Sequence, residues 1–406
     1  MSAGDTTFVL ISSALVMFMT PGLALFYGGM VRHKNVLGTL MQSFILLGLI
    51  TLEWVLWGYS LSFGTDHGGL IGGLGWLGLN GVGMTPSPDY GSTIPHLAFM
   101  IFQCMFAIIT VALITGAFAE RMKFSAFLLF SLLWSTFVYN PLAHWVWGVG
   151  GWMGRMGALD FAGGTVVHIS SGLSALAAAL IIGRRLDYGS TAYIPHNLPM
   201  TITGAAILWF GWFGFNAGSA LACNGLAASA FVVTHVASGV AALTWILMER
   251  LHRGEATTLG AASGAVAGLV AITPASGFVG PLSAVVIGGL AGIFCYGGIL
   301  LKGKLGYDDS LDVVGIHGVG GTWGALATGL FASTAVNPDG ANGLFFGNPF
   351  QLWIQFVSVI ASMAFAFVMT MIILKIVDAV VGLRVSEEEE RKGLDISLHN
   401  ETGYSF

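Results

Sequence analysis

The stretch Phe8-Val9-Leu10-Ile11-Ser12-Ser13-Ala14-Leu15-Val16-Met17-Phe18-Met19-Thr20-Pro21-Gly22-Leu23-Ala24-Leu25-Phe26-Tyr27-Gly28-Gly29-Met30-Val31 holds no acidic, basic or histidine side chain. About 20 apolar residues in a helix, each advancing the axis by about 1.5 Å, cover the hydrocarbon thickness of a bilayer. The stretch is therefore long enough to cross one. Residues 1–7 before it carry Asp5 and no Lys or Arg, whereas a cleaved signal peptide opens on a basic segment. We expect 8–31 to be a true first span.

The rest of the chain repeats this pattern. Hydrophobic residues make up 55% and charged residues 9%, against roughly 25% charged in a soluble domain. So few charges cannot cover a surface in water, so lipid must replace water around much of the molecule. The 59 glycines fit helices that approach closely in a membrane. Further apolar runs lie at 38–63, 95–119, 125–147, 164–184, 199–217, 227–249, 258–276, 280–301, 313–334 and 350–381. The reading is an all-α integral membrane protein of eleven spans.

Charge tests that number independently, because Lys and Arg stay on the cytoplasmic side. Arg32 and Lys34 follow span 1, Arg121 and Lys123 span 3, and Arg184 and Arg185 end span 5. Arg250 and Arg253 follow span 7, and Lys302 and Lys304 follow span 9. Lys375, Arg384, Arg391 and Lys392 lie at the end of span 11 or beyond it. Of the 15 basic residues, Arg155 alone falls on the other side. This alternation places the N-terminus outside and the C-terminus in the cytoplasm, for a multi-pass protein of the inner (cytoplasmic) membrane. Two sets of five spans, 1–5 and 6–10, would have to insert with opposite topology. Such inverted repeats are a transporter arrangement with the site at their interface; span 11 then stands alone. Residues 1–381 form the transmembrane domain and 382–406 a polar tail, read either as solvated or as a docking segment.

Other classes find no support. The net charge of −5 comes with no basic patch for nucleic acid. Cys104, Cys223 and Cys295 are an odd, scattered set without metal-ligand spacing, read as small core residues. The G-x-G-x-x-G match at Gly73, Gly75 and Gly78 lies in the long loop 64–94 and lacks the strand–helix setting of a nucleotide site. No metal or cofactor is expected.

Ionisable residues inside spans are costly and mark pathways by default. Those that stand out are Glu53, His144, His168, His235 and His317, with Asp160 and Asp312 at helix starts. Asp160 precedes His168 in span 5 and Asp312 precedes His317 in span 10. Two histidines at matching places in two repeats suggest a shared pore site, in which each neutral ring donates from one nitrogen and accepts at the other. By these boundaries His168 lies near the outer end of its span and His317 near the inner end of its own, so they meet only if both helices start deep in the membrane. Asp160 reads as a helix N-cap in preference to a cation-binding carboxylate, and Asp312 reads likewise. His144 and His235 read as packing or rim residues, and the loop acids Asp308 and Asp309 as solvated. Glu53 has no assigned role. Trp147 is by position a belt residue or one wall of a cation-π cage.

The segment Ala158-Leu159-Asp160-Phe161-Ala162-Gly163-Gly164-Thr165-Val166-Val167-His168 resembles the signature of the ammonium transporter (Amt/Mep/Rh) superfamily, on its bacterial and archaeal side. Gly211-Trp212-Phe213-Gly214-Phe215-Asn216-Ala217-Gly218-Ser219 is similar to a second family motif. So are Phe26-Tyr27-Gly28-Gly29, Ala119-Glu120-Arg121, Thr273-Pro274-Ala275 and Gly382-Leu383-Arg384-Val385 with Gly393-Leu394-Asp395. The resemblance implies a homotrimer with one pore per subunit that transports ammonium. It implies that Trp147, Ser219 and Phe106 form an outer recruitment site, and that Phe106 and Phe215 stack as a gate. His168 and His317 would be the twin histidines. Asp160, Trp212, Gln103 and Thr273 would support the site, Thr273 by ordering the outer vestibule. A PII-type signalling protein would meet the cytoplasmic face and tail. Bacterial members often begin with a signal peptide, and this start does not look like one. An Rh-like channel, an ammonium sensor acting through the tail, and a membrane enzyme with a His-ligated metal or haem are the rival readings. Trp147 and Ser219 argue against the first, and the last requires more clustered ligands.

Overall fold

The computed structural model describes residues 1–405, and they fold almost wholly into helices. Helix α1 (Ala3–Met30) starts where the Ser2 hydroxyl accepts the Asp5 N–H. The chain continues through α2 (His33–Phe63), α3 (His96–Ala117), α4 (Phe124–Met156), α5 (Gly164–Ile182), α6 (Leu198–Gly218) and α7 (Gly225–Arg253). It ends with α8 (Thr258–Ile272), α9 (Pro281–Leu305), α10 (314–331) and α11 (Pro349–Val381). Every expected range therefore meets a helical segment. Among the described residues nine of these are long and apolar enough to cross a membrane; α8 is shorter, and α10 opens on a π-helical turn. A two-stranded hairpin (Asp66–His67, Ile71–Gly72) sits in the loop after α2.

Glycine sets the packing distance. Helix α1 makes its most extensive contact with α6. A Cβ on Gly204 would run into the Phe26 backbone, and one on Gly211 into Met19. With no hydrophobic drive between helices in lipid, such backbone approach is what supplies the attraction.

Basic residues other than Arg155 gather at one end of the bundle, where a buried polar cluster ties the loops together. Arg121 is fully buried and uses all five of its donors. They reach Gly183 O at 2.9 Å, Ala119 O at 3.2 Å, Ser310 Oγ at 2.6 Å, Ala117 O at 3.0 Å and Asp308 O at 2.6 Å. One guanidinium thus joins the ends of α3 and α5 to the loop before α10. Arg185 grips both Asp308 carboxylate oxygens at 2.8–2.9 Å and lies 3.4 Å from Glu120. Glu120 accepts the Arg32 backbone and side-chain N–H groups at 2.7 and 2.9 Å.

This cluster overturns one expectation. Asp308 and Asp309 are buried, 1% and 0% exposed, not solvated. Asp308 is held by two arginines. Burial pushes the Asp309 carboxyl up to about 6, with Lys302 acting in the opposite direction. The tail is also not a free solvated strand. Asp395 accepts the Gly38 N–H and Asn35 accepts the Leu394 N–H, both at 2.8 Å; Glu390 binds Arg384 and the Leu186 N–H, both at 2.7 Å. Of the cysteines, Cys104 and Cys295 are buried as expected and Cys223 is exposed, because it sits in the turn before α7.

Burial works to raise the Glu120 carboxyl, but the facing Arg185 and Arg32 charges outweigh it and hold it below its ordinary value. Replacing it by glutamine leaves two arginines facing a neutral group, and breaking a buried pair costs about 3 kcal/mol or more. We expect Glu120→Gln to melt well below the parent at pH 7 in detergent. A depressed carboxyl stabilises the fold above its unfolded value and loses that contribution as pH falls through its folded value. The two melting curves should therefore converge below about pH 4.

Candidate functional site

Two broken helix starts build the site. The Asp160 carboxylate accepts the N–H groups of Gly163 at 2.8 Å, Gly164 at 2.6 Å and Thr165 at 2.8 Å, and also the Thr165 hydroxyl. Gly163, at φ +115, takes a backbone that L side chains avoid, and a π-helical turn, Gly164–Ile169, follows. It carries His168 into the interior, 1% exposed. The matching turn, Val314–Gly318, carries His317.

Its cap corrects the reading of Asp312. Asp309 accepts the Val314 N–H at 2.8 Å. Asp312 takes the left-handed conformation, φ +63, and pairs with Lys302. The left-handed turn at Asp312 swings the earlier carboxylate to the helix start. Each cap thus binds the N–H five residues on, with the histidine eight residues on. That shared spacing was present in the sequence and would have selected Asp309.

The tension over whether the histidines meet is resolved by where these turns begin. His168 Nδ1 lies 3.2 Å from His317 Nδ1, with ring centres 5.3 Å apart. Glycines permit it: a Cβ on Gly172 would overlap the Gly318 backbone, and one on Gly321 would come within 2.8 Å of His168 Cβ. Two facing nitrogens at this distance are held by one proton, so one ring donates and the other accepts. His168 Nε2 has no hydrogen-bond partner among the described residues.

Aromatic rings stack outward from His168. Trp212 lies on it at 5.6 Å and Phe215 at 6.2 Å; Phe106 stacks on Phe215 at 4.2 Å and meets Trp147 edge-on at 6.0 Å. Beside the histidines is a void of about 10 Å³, bordered by Leu208, Trp212, Phe215 and Val266, room for about one water-sized molecule. Beyond Phe106, at the end opposite the basic cluster, a cavity of about 350 Å³ opens. Asp89, Gln103, Phe106, Trp147, Phe161 and Ser219 line it.

The Ser219 hydroxyl donates to Phe215 O at 2.9 Å, so its two lone pairs are left as acceptors. Gln103 Oε1 is buried without a partner among the described residues. The cavity therefore offers acceptors and aromatic faces, the chemistry that suits a small cation carrying N–H donors. Trp147 is anchored by its N–H to Asp160 O at 2.9 Å. Thr273 does not border the cavity: it accepts the Trp212 N–H at 2.8 Å and donates to Leu269 O at 2.7 Å, bracing Trp212 from behind. Asp89 and Phe161 were missed in the sequence because nothing in a loop signals which residues face a cavity.

The remaining intraspan polar groups lie elsewhere. Glu53 is buried against Asn140 at 2.8 Å, Ser135 and Thr136, joining α2 to α4. His144 pairs with Asp66 at 2.9 Å, tethering the hairpin. His235 stands on an exposed face of α7 beside Trp209. Among the described residues no group of three or more His, Cys, Asp or Glu could hold a metal ion.

The profile described as Ammonium Transporter Family matches residues 7–404. The chain belongs to the ammonium transporter family. The Bacillus subtilis "Ammonium transporter" is 55% identical over 405 residues, covering 100% of this chain and 99% of that protein. Archaeoglobus fulgidus "Ammonium transporter Amt1" is 51% identical over 405 residues and 100% of both chains. Among solved structures, Saccharomyces cerevisiae Mep2 superposes with a TM-score of 0.90 at 36% identity, over 95% of this chain and 88% of that one. A structure described as "Sensor Amt Protein" gives 0.89 at 30% identity, over 97% and 98%. The transporter fold and the membrane setting of this family member follow from these matches.

The Asp160 cap gives a direct test. Asp160→Ala strands three buried N–H groups, each costing about 1–3 kcal/mol. It should melt far below the parent, with Asp160→Asn, which keeps one acceptor oxygen, in between. Three equal melting temperatures would contradict the capping role.

Proposed function

We propose that the chain carries ammonium across the cytoplasmic membrane by admitting the cation at the outer cavity and passing ammonia along the histidine-lined conduit. The contact between two neutral imidazoles at the base of a stacked aromatic column carries this reading. A bare cation in a dry conduit costs tens of kcal/mol, far more than two neutral rings return. Ammonium is held at the mouth by Trp147, Ser219 and Phe106, with the buried Gln103 carbonyl beside them. Losing a proton below the Phe106–Phe215 pair is the cheaper route inward. Ammonia then donates to and accepts from the imidazoles as it passes. The proton shared by His168 and His317 makes the pair a relay for the proton that ammonium leaves behind.

The same reading sets the orientation. The basic end is cytoplasmic, the cavity of about 350 Å³ faces outward, and eleven spans cross, with 1–5 and 6–10 as inverted copies. The equal spacing of Asp160 and His168, and of Asp309 and His317, supports that pairing. We assign the chain to a homotrimer with one conduit per subunit, as is typical of the family. The tail, 382–406, folded against the cytoplasmic loops, is the surface we assign to a PII-type partner. It is also what favours the second reading, a sensor that reports ammonium through its tail.

One experiment separates these. Purified protein in proteoliposomes on a solid-supported membrane receives ammonium, then potassium, with methylammonium uptake followed in parallel. We expect uptake of ammonium and methylammonium without any partner protein, and no potassium current. His168→Ala should lower ammonium-evoked charge movement by about a hundredfold or more, the usual scale for losing a proton-transfer group. Absence of uptake in the parent supports the sensor; an unaltered current in His168→Ala removes the relay.

A further inference from the structure

Two glutamines on α11 take no part in the conduit, yet both are buried, Gln351 at 2% and Gln355 at 1% exposure. Their helix is mostly apolar, with Trp353, Phe356 and Ile360 exposed on its outer face. A buried carboxamide in such surroundings is costly unless every polar atom is paired.

Gln355 achieves this. Its Oε1 accepts the Leu159 N–H at 2.8 Å and a Gln351 N–H at 3.4 Å; its Nε2 donates to Leu159 O at 2.8 Å and Ala325 O at 3.0 Å. Both lone pairs and both N–H groups are used. The Leu159 N–H and C=O fix which end of the amide is which. Gln351, one turn earlier, donates to Gly157 O at 2.9 Å. The loop joining Trp152–Met156 to the π-turn at Gly164 has no regular structure. The Gly157 carbonyl and both Leu159 backbone groups are instead satisfied by these two side chains, as a neighbouring strand would satisfy them.

The residue after Leu159 is Asp160. Its carbonyl holds the Trp147 indole at 2.9 Å, and its carboxylate caps the turn that carries His168. On its other side, the Phe161 N–H is tied to Pro274 O at 3.1 Å. Asp160 is thus clamped between two tethers, and the tether on the Leu159 side is Gln355. We propose that Gln355 is a positioning residue for transport: by fixing the Leu159 backbone it sets, through Asp160, the Trp147 wall of the recruitment site and the depth of His168 together. The proposal rests on the outer-site reading above. No other residue type fits as well. Asn is one methylene short, Glu loses the donors to Leu159 O and Ala325 O, and Met fills the space while leaving Leu159 unpaired.

The test compares Gln355→Met, Gln355→Glu and Gln351→Met with the parent and with Trp147→Leu, in proteoliposomes normalised to folded protein by size exclusion. Melting temperature and the ammonium dependence of the current are read together. We expect Gln355→Met to raise the half-saturating ammonium concentration on the order of tenfold, the equivalent of a net hydrogen bond or slightly more. Maximal current per folded subunit should fall less. Gln355→Glu should lie between, and Gln351→Met should shift it least, since it touches Gly157 and not Leu159. A purely structural glutamine would lower melting temperature and yield and leave the half-saturating concentration of the folded fraction unchanged. If Gln355→Met does so while Trp147→Leu raises that concentration, the positioning role is overturned and the outer site stands. If Trp147→Leu is also without effect, the outer-site reading falls and takes this proposal with it. Should Gln355→Met not fold, Gln355→Glu is judged by the same criterion.

Discussion

Two ring nitrogens 3.2 Å apart, His168 Nδ1 and His317 Nδ1, accommodate one proton between them. Two protons would clash, and none would set lone pair against lone pair. That single constraint explains much of the surrounding structure. The rings come from helices of different halves of the chain, so both helices have to begin deep in the protein. Each therefore starts on a π-helical turn. Glycines at 172 and 321 remove the side chains that would keep those turns apart.

A helix that starts in an apolar interior strands its first N–H groups, and in a membrane no water reaches them. The carboxylates of Asp160 and Asp309 answer that need at the two starts. They differ in how fully they are used. Asp160 accepts from three backbone N–H groups and a hydroxyl. Asp309 Oδ1 has no partner among the described residues. The loop around Asp160 is steadied by Gln355 and Pro274. The loop around Asp309 is steadied by Arg121, which draws in Asp308 O and Ser310. Paired charges at the basic end and stacked rings toward the opposite cavity thus hold one narrow, mostly apolar void between them.

Much of this was legible in the chain. Apolar run length and the one-sided Lys and Arg residues marked the helices, since both follow from what a bilayer tolerates. His168, His317 and the Asp160 cap stood out because ionisable groups are scarce in such segments. Other features depended on tertiary contacts that local pattern does not encode. Asp309 displaced Asp312 as the second cap because the backbone turns left-handed at Asp312. Asp308 looked solvated because its partners, Arg121 and Arg185, lie far away in sequence, and Asp309 because no local pattern shows its carboxylate turning inward onto the Val314 N–H. The tail stayed open between a solvated and a docking segment because its partners, Asn35 and Gly38 at the start of α2 and Leu186 after α5, are remote in sequence. Thr273 proved to brace Trp212 from behind, which no spacing reveals. Gln351 and Gln355 passed unremarked because an uncharged amide in a long apolar helix gives little signal until its partners are seen.

The most direct measurement is solid-state NMR on protein with ¹⁵N-labelled histidine, reconstituted in lipid at pH 7. The account expects one of the two Nδ1 atoms to be protonated and the other bare, both rings neutral, with a through-hydrogen-bond coupling linking them. Two Nδ1 atoms in the same protonation state, or a doubly protonated ring, would contradict it.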